Sequence, residues 1–163
     1  MGKVKDYYME DFPAAEQSAE PYGPQLTIVR GLPGSGKSTY AKTLDCVHYE
    51  ADQFFELDGE YVYDINLISA AHDWCYGKTV RALRHGHDVV VSNTFTKMWE
   101  LDRYLAIPAI LSLPVVVEIV EMKTQYQNVH GVPEDKLKQM AARWEDLSDD
   151  IIELGINFRQ IEK

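Results

Sequence analysis

Leu26-Thr27-Ile28-Val29-Arg30-Gly31-Leu32-Pro33-Gly34-Ser35-Gly36-Lys37-Ser38-Thr39 is the stretch on which the fold turns. Its first five residues form a short buried-strand pattern, a Gly-rich turn follows, and a helix is expected from Lys37. Gly31 to Ser38 satisfies G-x-x-x-x-G-K-[ST], the phosphate-loop pattern, in the strand-then-helix context the pattern requires. Gly34 and Gly36 let the backbone turn with its N–H groups facing inward, where they can cradle phosphate oxygens. The helix start presents its positive dipole end to the same anion. Lys37 supplies a flexible point charge for the β- and γ-phosphates, and the Ser38 hydroxyl suits Mg²⁺. A glycine turn that only closed a strand-helix unit would not explain why Lys and Ser follow the last glycine.

Outward from this loop the chain alternates. Val47 to Ala51 reads as a second strand and Asp58-Gly59 as a turn. Ile65, Ile68, His72, Cys75, Thr79 and Ala82 recur at helical spacing, and Gly86 suits a helix C-terminus. Val89 to Ser92 is a third strand. A helix is expected from about Lys97, with Thr96 as its N-cap, ending before Pro108. Val115 to Val120 is a nearly continuous β-branched run, as a parallel strand buried on both faces requires. Pro133, followed by Glu134 and Asp135, opens a last long helix with the stripe Leu137, Met140, Ala141, Trp144 and Leu147. The alternation predicts an α/β domain over residues 25–163: an open parallel sheet of about four or five strands with helices on both faces. Residues 1–24 differ. They are acidic, interrupted by Pro13, Pro21 and Pro24, and read as a leader or surface clasp whose Tyr7, Tyr8, Met9 and Phe12 offer contacts to the body or to a protein partner.

A length of 163 residues suits one domain, and 45% hydrophobic with 26% charged residues excludes a mainly disordered chain. The formal charge of -10 excludes an overall positive field, so a polyanion would have to meet a local basic patch. Cys46 and Cys75 make no disulfide framework. No apolar run approaches a membrane span, and the start of the chain lacks the apolar core of a signal peptide. These features predict a cytoplasmic protein without a membrane partner.

Asp52 follows the second strand, and ligands of open α/β sheets sit outside the carboxyl ends of the strands. A carboxylate there can take a proton from an acceptor hydroxyl or hold Mg²⁺ through water; it can equally be a turn or capping Asp. The third strand ends in Ser92-Asn93-Thr94, where the acid that helps hold Mg²⁺ would normally stand. That leaves the metal mainly to Ser38, Asp52 and water, or else makes catalysis weak. His72 reads as a core or cleft residue, and no His/Cys/Asp spacing reads as a zinc site. Lys78, Arg81 and Arg84 are the only hint of a basic stripe for nucleic acid.

Taken with Ala71-His72-Asp73-Trp74, Gly86-x-x-Val89-x-Val91-x-Asn93-Thr94, Trp99-Glu100, Tyr104 and Asn128-Val129-His130-Gly131-Val132-Pro133, the phosphate loop carries a resemblance. From Leu26 to Leu147 the chain resembles the P-loop kinase-type ATPases related to the ATP-binding domain of NEDD4-binding protein 2. Those are similar in turn to the 5′-kinase domain of phage polynucleotide kinase. The resemblance implies a P-loop NTPase fold with the first strand central, ATP and Mg²⁺ as cofactors, and phosphate contacts from Ser35 to Thr39. It also implies Asp52 as the base for an acceptor hydroxyl and a helical lid from about Gln125 to Arg143. The chain departs from the pattern in three places. Phe54 and Phe55 stand where polynucleotide kinases carry an arginine for the acceptor phosphate, Gln127 replaces a lid arginine, and the acid at Ser92-Asn93 is missing. Of Lys123, His130, Lys136 and Arg143, Arg143 is the expected substitute for the lid cation.

Two functions compete at this point. One is an ATP-dependent kinase acting on a hydroxyl, either a nucleic-acid 5′-OH or a small molecule. The other is a nucleotide-binding switch or interaction module with weak turnover or none.

Overall fold

The computed structural model describes residues 23–56, 59–124 and 131–162. The strands are β1 (Gln25–Arg30), β2 (Val47–Tyr49), β3 (Val89–Asn93), β4 (Val116–Met122) and β5 (Asn157–Ile161). The helices are α1 (Lys37–Thr43), α2 (Ile68–Arg84), α3 (Met98–Leu105), α4 (Ile107–Leu111), α5 (Glu134–Ala142) and α6 (Asp149–Glu153). Two 3-10 turns, Ala51–Glu56 and Ile65–Leu67, join β2 to α2. All strand pairs are parallel, in the order β2-β3-β1-β4-β5. The expected α/β sheet is therefore present, with β1 at its centre.

The strand period explains the layering. Leu26, Ile28, Val89, Val91, Val117 and Ile119 face one core, which α2 and α3 close with Ala71, Cys75, Leu83, Leu101 and Tyr104. Val29, Val90 and Val120 face the other, covered by Ala41 of α1. Val89, Val90 and Val91 are all buried, as a strand inside a parallel sheet requires. Each such side chain contributes about 1.5–3 kcal/mol by burial.

Several boundaries differ from the sequence reading. The strand expected to reach Ala51 stops at Tyr49, because Ala51 opens the first 3-10 turn. Ile65 is 63% exposed and off the helical stripe. It begins a separate turn that Asp64 caps by accepting from the Asn66 N–H at 2.9 Å. Lys97, not Thr96, is the N-cap of α3. Glu100 Oε2 reaches back to the Lys97 N–H at 2.8 Å and accepts from Thr96 Oγ1 at 3.1 Å. α3 ends at Leu105, before Pro108 as expected, and Pro108 itself lies in the first turn of a further short helix, α4, where its missing N–H costs nothing. The last long helix is shorter than its pattern. α5 ends at Ala142 with no buried residue, and Trp144 and Leu147 lie beyond it. Asp58 and the segment 125–130 of the expected lid lie outside the described residues, as does the leader up to residue 22. No helix among the described residues is long and apolar enough to cross a membrane.

Candidate nucleotide-binding site

β1 delivers the chain to Gly31, whose N–H donates to Thr94 O at 3.3 Å beside the end of β3. A Cβ here would lie 2.4 Å from Ser35 Oγ and 3.0 Å from Met122 O, so the loop can close only on glycine. Gly34 and Gly36 adopt φ of 80° and 86°, the left-handed values their positions require. The Ser35 N–H donates to Leu32 O at 3.1 Å, and its carbonyl accepts from Thr124 Oγ1 of the strand-end after β4. Ser35 Oγ is buried without a partner. α1 starts with no side-chain cap and no acid in its first turn, so no carboxylate of the helix itself competes for its leading N–H groups. The loop is thus a preformed cradle of donors, which fits a polyphosphate.

Lys37 Nζ donates to Leu32 O at 3.1 Å, folded back over the loop. Burial pushes its ammonium down to about 8, against the opposing pull of the Glu50 carboxylate. The sign is definite. Below that value the lysine is already charged, whereas above it a bound anion must draw a proton back onto Nζ. Nucleotide affinity is expected to fall by up to about tenfold per pH unit above pH 8, with uptake approaching one proton. Calorimetry in two buffers of different ionisation heat, at pH 7.5 and 9, measures that uptake directly.

Ser38 Oγ donates to Glu50 Oε2 at 2.7 Å. Glu50 stands just past β2 and was not singled out in the sequence; the signal was its place two residues after His48, on the same side of the strand. Ser92 Oγ donates to the same oxygen at 3.0 Å, and His48 Nε2 lies 2.6 Å from Ser92 Oγ. Asp52, expected beside Ser38, is exposed in the first 3-10 turn, where its Oδ1 accepts from the Tyr61 hydroxyl at 2.9 Å. Burial, then that bond, pushes the Tyr61 phenol up to about 12. Asn93 fixes the base of this turn: its Oδ1 accepts from the Ala51 N–H at 2.9 Å and its Nδ2 contacts Cys75 Sγ at 3.7 Å. The oxygens round Ser38 are hard donors. Among the described residues no cluster of three or more His, Cys, Asp or Glu could hold a metal alone. This set fits Mg²⁺ shared with phosphates and does not suit an all-protein cage.

Arg143 is exposed at the C-terminus of α5. Lys123 is held by Glu121 at 2.5 Å and lies over Trp144. Lys78 is buried, so it forms no basic face with Arg81 and Arg84. The strongest cation cluster lies behind the loop. Arg30, fully buried, donates to Phe95 O at 2.6 Å and Glu145 O at 2.8 Å, pairs with Glu121 at 3.5 Å and stacks on Trp144 at 3.9 Å.

Comparison with known proteins bears on the family and the fold. A family described as AAA domain matches residues 26–147. The chain is 27% identical over 133 residues to human NEDD4-binding protein 2, a match covering 74% of this chain and 8% of that much longer protein. A sugar kinase from Janibacter superposes with a TM-score of 0.57 at 15% identity, covering 85% of each chain. A chain of the Pnkp1/Rnl/Hen1 complex gives a TM-score of 0.52 at 19% identity, covering 74% of this chain and 40% of that one.

Proposed function

The chain belongs to the AAA domain family, and from that premise we propose that it is an ATP-dependent phosphotransferase acting on a hydroxyl. The observation that carries the proposal is the meeting of the phosphate loop with the acidic end of β2, where Ser38 donates to Glu50 at 2.7 Å and Asp52 follows two residues later. The loop from Gly34 to Thr39 would hold the phosphates through backbone N–H groups, with Lys37 moving from Leu32 O onto the β- and γ-oxygens. Ser38 would hold Mg²⁺, with a nearby carboxylate such as Asp52 contributing through water. The ion, when bound, neutralises charge on the transferred group and its leaving oxygen. Asp52 has one carboxylate oxygen engaged by Tyr61 and would use the other to take the proton of the acceptor hydroxyl.

The acceptor side has a definite charge. Between Lys42 and Lys78 the sequence contains no Lys or Arg, while Glu50, Asp52, Glu56, Glu60 and Asp64 fall within it. This supports a small uncharged hydroxyl acceptor over a nucleic-acid 5′ end. Arg143 is proposed as the lid cation, reaching the transferred group when a nucleotide is bound.

The test is Mg²⁺-ATP turnover with sugars, nucleosides and 5′-OH oligonucleotides. Acceptor-dependent ADP release with a phosphorylated product is expected. Asp52→Asn should lower kcat about a hundredfold while leaving the nucleotide Kd within about threefold. Tight ATP binding without acceptor-stimulated turnover would instead identify a nucleotide-dependent interaction module.

A further inference from the structure

We infer that the metal-side carboxylate of this phosphate loop is Glu50, supplied from the edge strand β2, and that Ser92 occupies the usual place of the acid as its hydrogen-bond partner. The inference rests on the reading above, that Ser38 helps hold Mg²⁺ with the nucleotide, and it assigns a residue that the reading leaves open.

Register is the first support. β2 and β3 pair in parallel with Tyr49 opposite Val91, which puts Glu50 level with Ser92 at the shared carboxyl end. A carboxylate leaving either strand at this level arrives at the same place, in front of Ser38. The second support is proton direction. Glu50 can only accept, so both hydroxyls that touch its Oε2 donate to it: Ser38 at 2.7 Å and Ser92 at 3.0 Å. The Ser38 oxygen then keeps its lone pairs outward for a cation. Because the Ser92 proton is committed to Glu50, His48 Nε2 must be the donor in its 2.6 Å contact with Ser92. The chain from His48 through Ser92 to Glu50 therefore has one direction, and it pins the carboxylate from behind. The third support is that, among the described residues, no donor is found on Glu50 Oε1, which is left for a water of the ion's shell. The strand end Ser92-Asn93 carries no carboxylate, and the adjacent strand supplies one at the same level. On this assignment the carboxylate that serves the metal through water is Glu50 in place of Asp52, and Asp52 acts on the acceptor alone.

The experiment measures metal, not turnover. Free Mn²⁺ is followed by its electron paramagnetic resonance signal while the full chain, with a non-hydrolysable ATP analogue, is titrated. Glu50→Gln is expected to weaken Mn²⁺ binding to the nucleotide complex by at least about tenfold. Its metal-free affinity for the analogue should stay within about threefold. The double variant Glu50→Ser with Ser92→Asp, which moves the carboxylate one strand inward, should recover most of the Mn²⁺ affinity; a merely structural role for Glu50 would not give that rescue. Unchanged Mn²⁺ affinity in Glu50→Gln, or a loss in Asp52→Asn in its place, overturns the assignment and leaves the kinase reading standing. Failure of the unaltered chain to bind the analogue at all overturns both.

Discussion

Lys37→Ala is expected to lower kcat/KM for ATP by about a thousandfold or more. The ammonium is half-buried, and its resting partner is a carbonyl of its own loop, Leu32 O at 3.1 Å. On the proposed function it stands where the phosphates would arrive, and among the described residues no carboxylate forms a salt bridge with it. Removing it takes away a charged hydrogen bond worth about 1.5–3 kcal/mol in binding. It also takes away a donor aimed at developing charge, an effect usually worth about a hundred- to a thousandfold in rate. Arginine should not rescue, since a planar fork cannot replace a point charge inside a closed glycine loop. Thermal stability supplies the control. Burial disfavours the charged form of Lys37, so the variant should melt at the same temperature as the parent or higher. A variant that lost activity through misfolding would melt lower. Steady-state kinetics with a parallel thermal melt distinguishes the two.

The second large effect concerns stability. Arg30→Ala is expected to cost about 3 kcal/mol, which for a chain of this size is a melting shift of about 6–12 °C. The guanidinium holds three segments at once: the β3–α3 connection through Phe95 O, the segment after α5 through Glu145 O and Trp144, and β4 through Glu121. Breaking a buried pair from one side is the costly case. Here Glu121 keeps Lys123 at 2.5 Å and Gln160 at 3.3 Å, which places the cost at the lower end of the usual range. Replacing both Arg30 and Glu121 with methionine should recover part of the loss, because an apolar pair of similar volume leaves no buried charge unmatched. Denaturant unfolding of the two variants checks both statements.

The phosphate loop and the strands β1 to β4 were legible because each is a local pattern, a glycine motif or an apolar run, whereas the central place of β1 came from the family resemblance. β5 was not legible. Its sequence Asn157-Phe158-Arg159-Gln160-Ile161 lies at the sheet edge with three exposed residues, so it lacks the apolar run that marks an inner strand. Asp52 was picked out by a rule that depends only on topology, and the structure sets it in the 3-10 turn that follows β2. Glu50 was missed for a physical reason. Its importance comes from lateral register between two strands separated by 40 residues of sequence, and no periodicity within either strand reports that pairing. Arg30 and Glu121 were invisible for the same reason, since a charged residue inside a strand pattern carries no mark of the partner across the sheet.

Asn93 has a consequence for timing. A short 3-10 turn at the rim of a sheet ordinarily fluctuates on the nanosecond-to-microsecond scale of loops. The turn that carries Asp52 is instead bolted at its first residue, Ala51, to a buried amide at the end of β3, which is itself held against α2 through Cys75. Its backbone therefore opens only when that part of the core opens, on the slow scale of sub-global unfolding. The carboxylate turns on its own side-chain torsions while its attachment point stands still, so on the proposed function an acceptor would meet a base whose position is settled before the encounter begins.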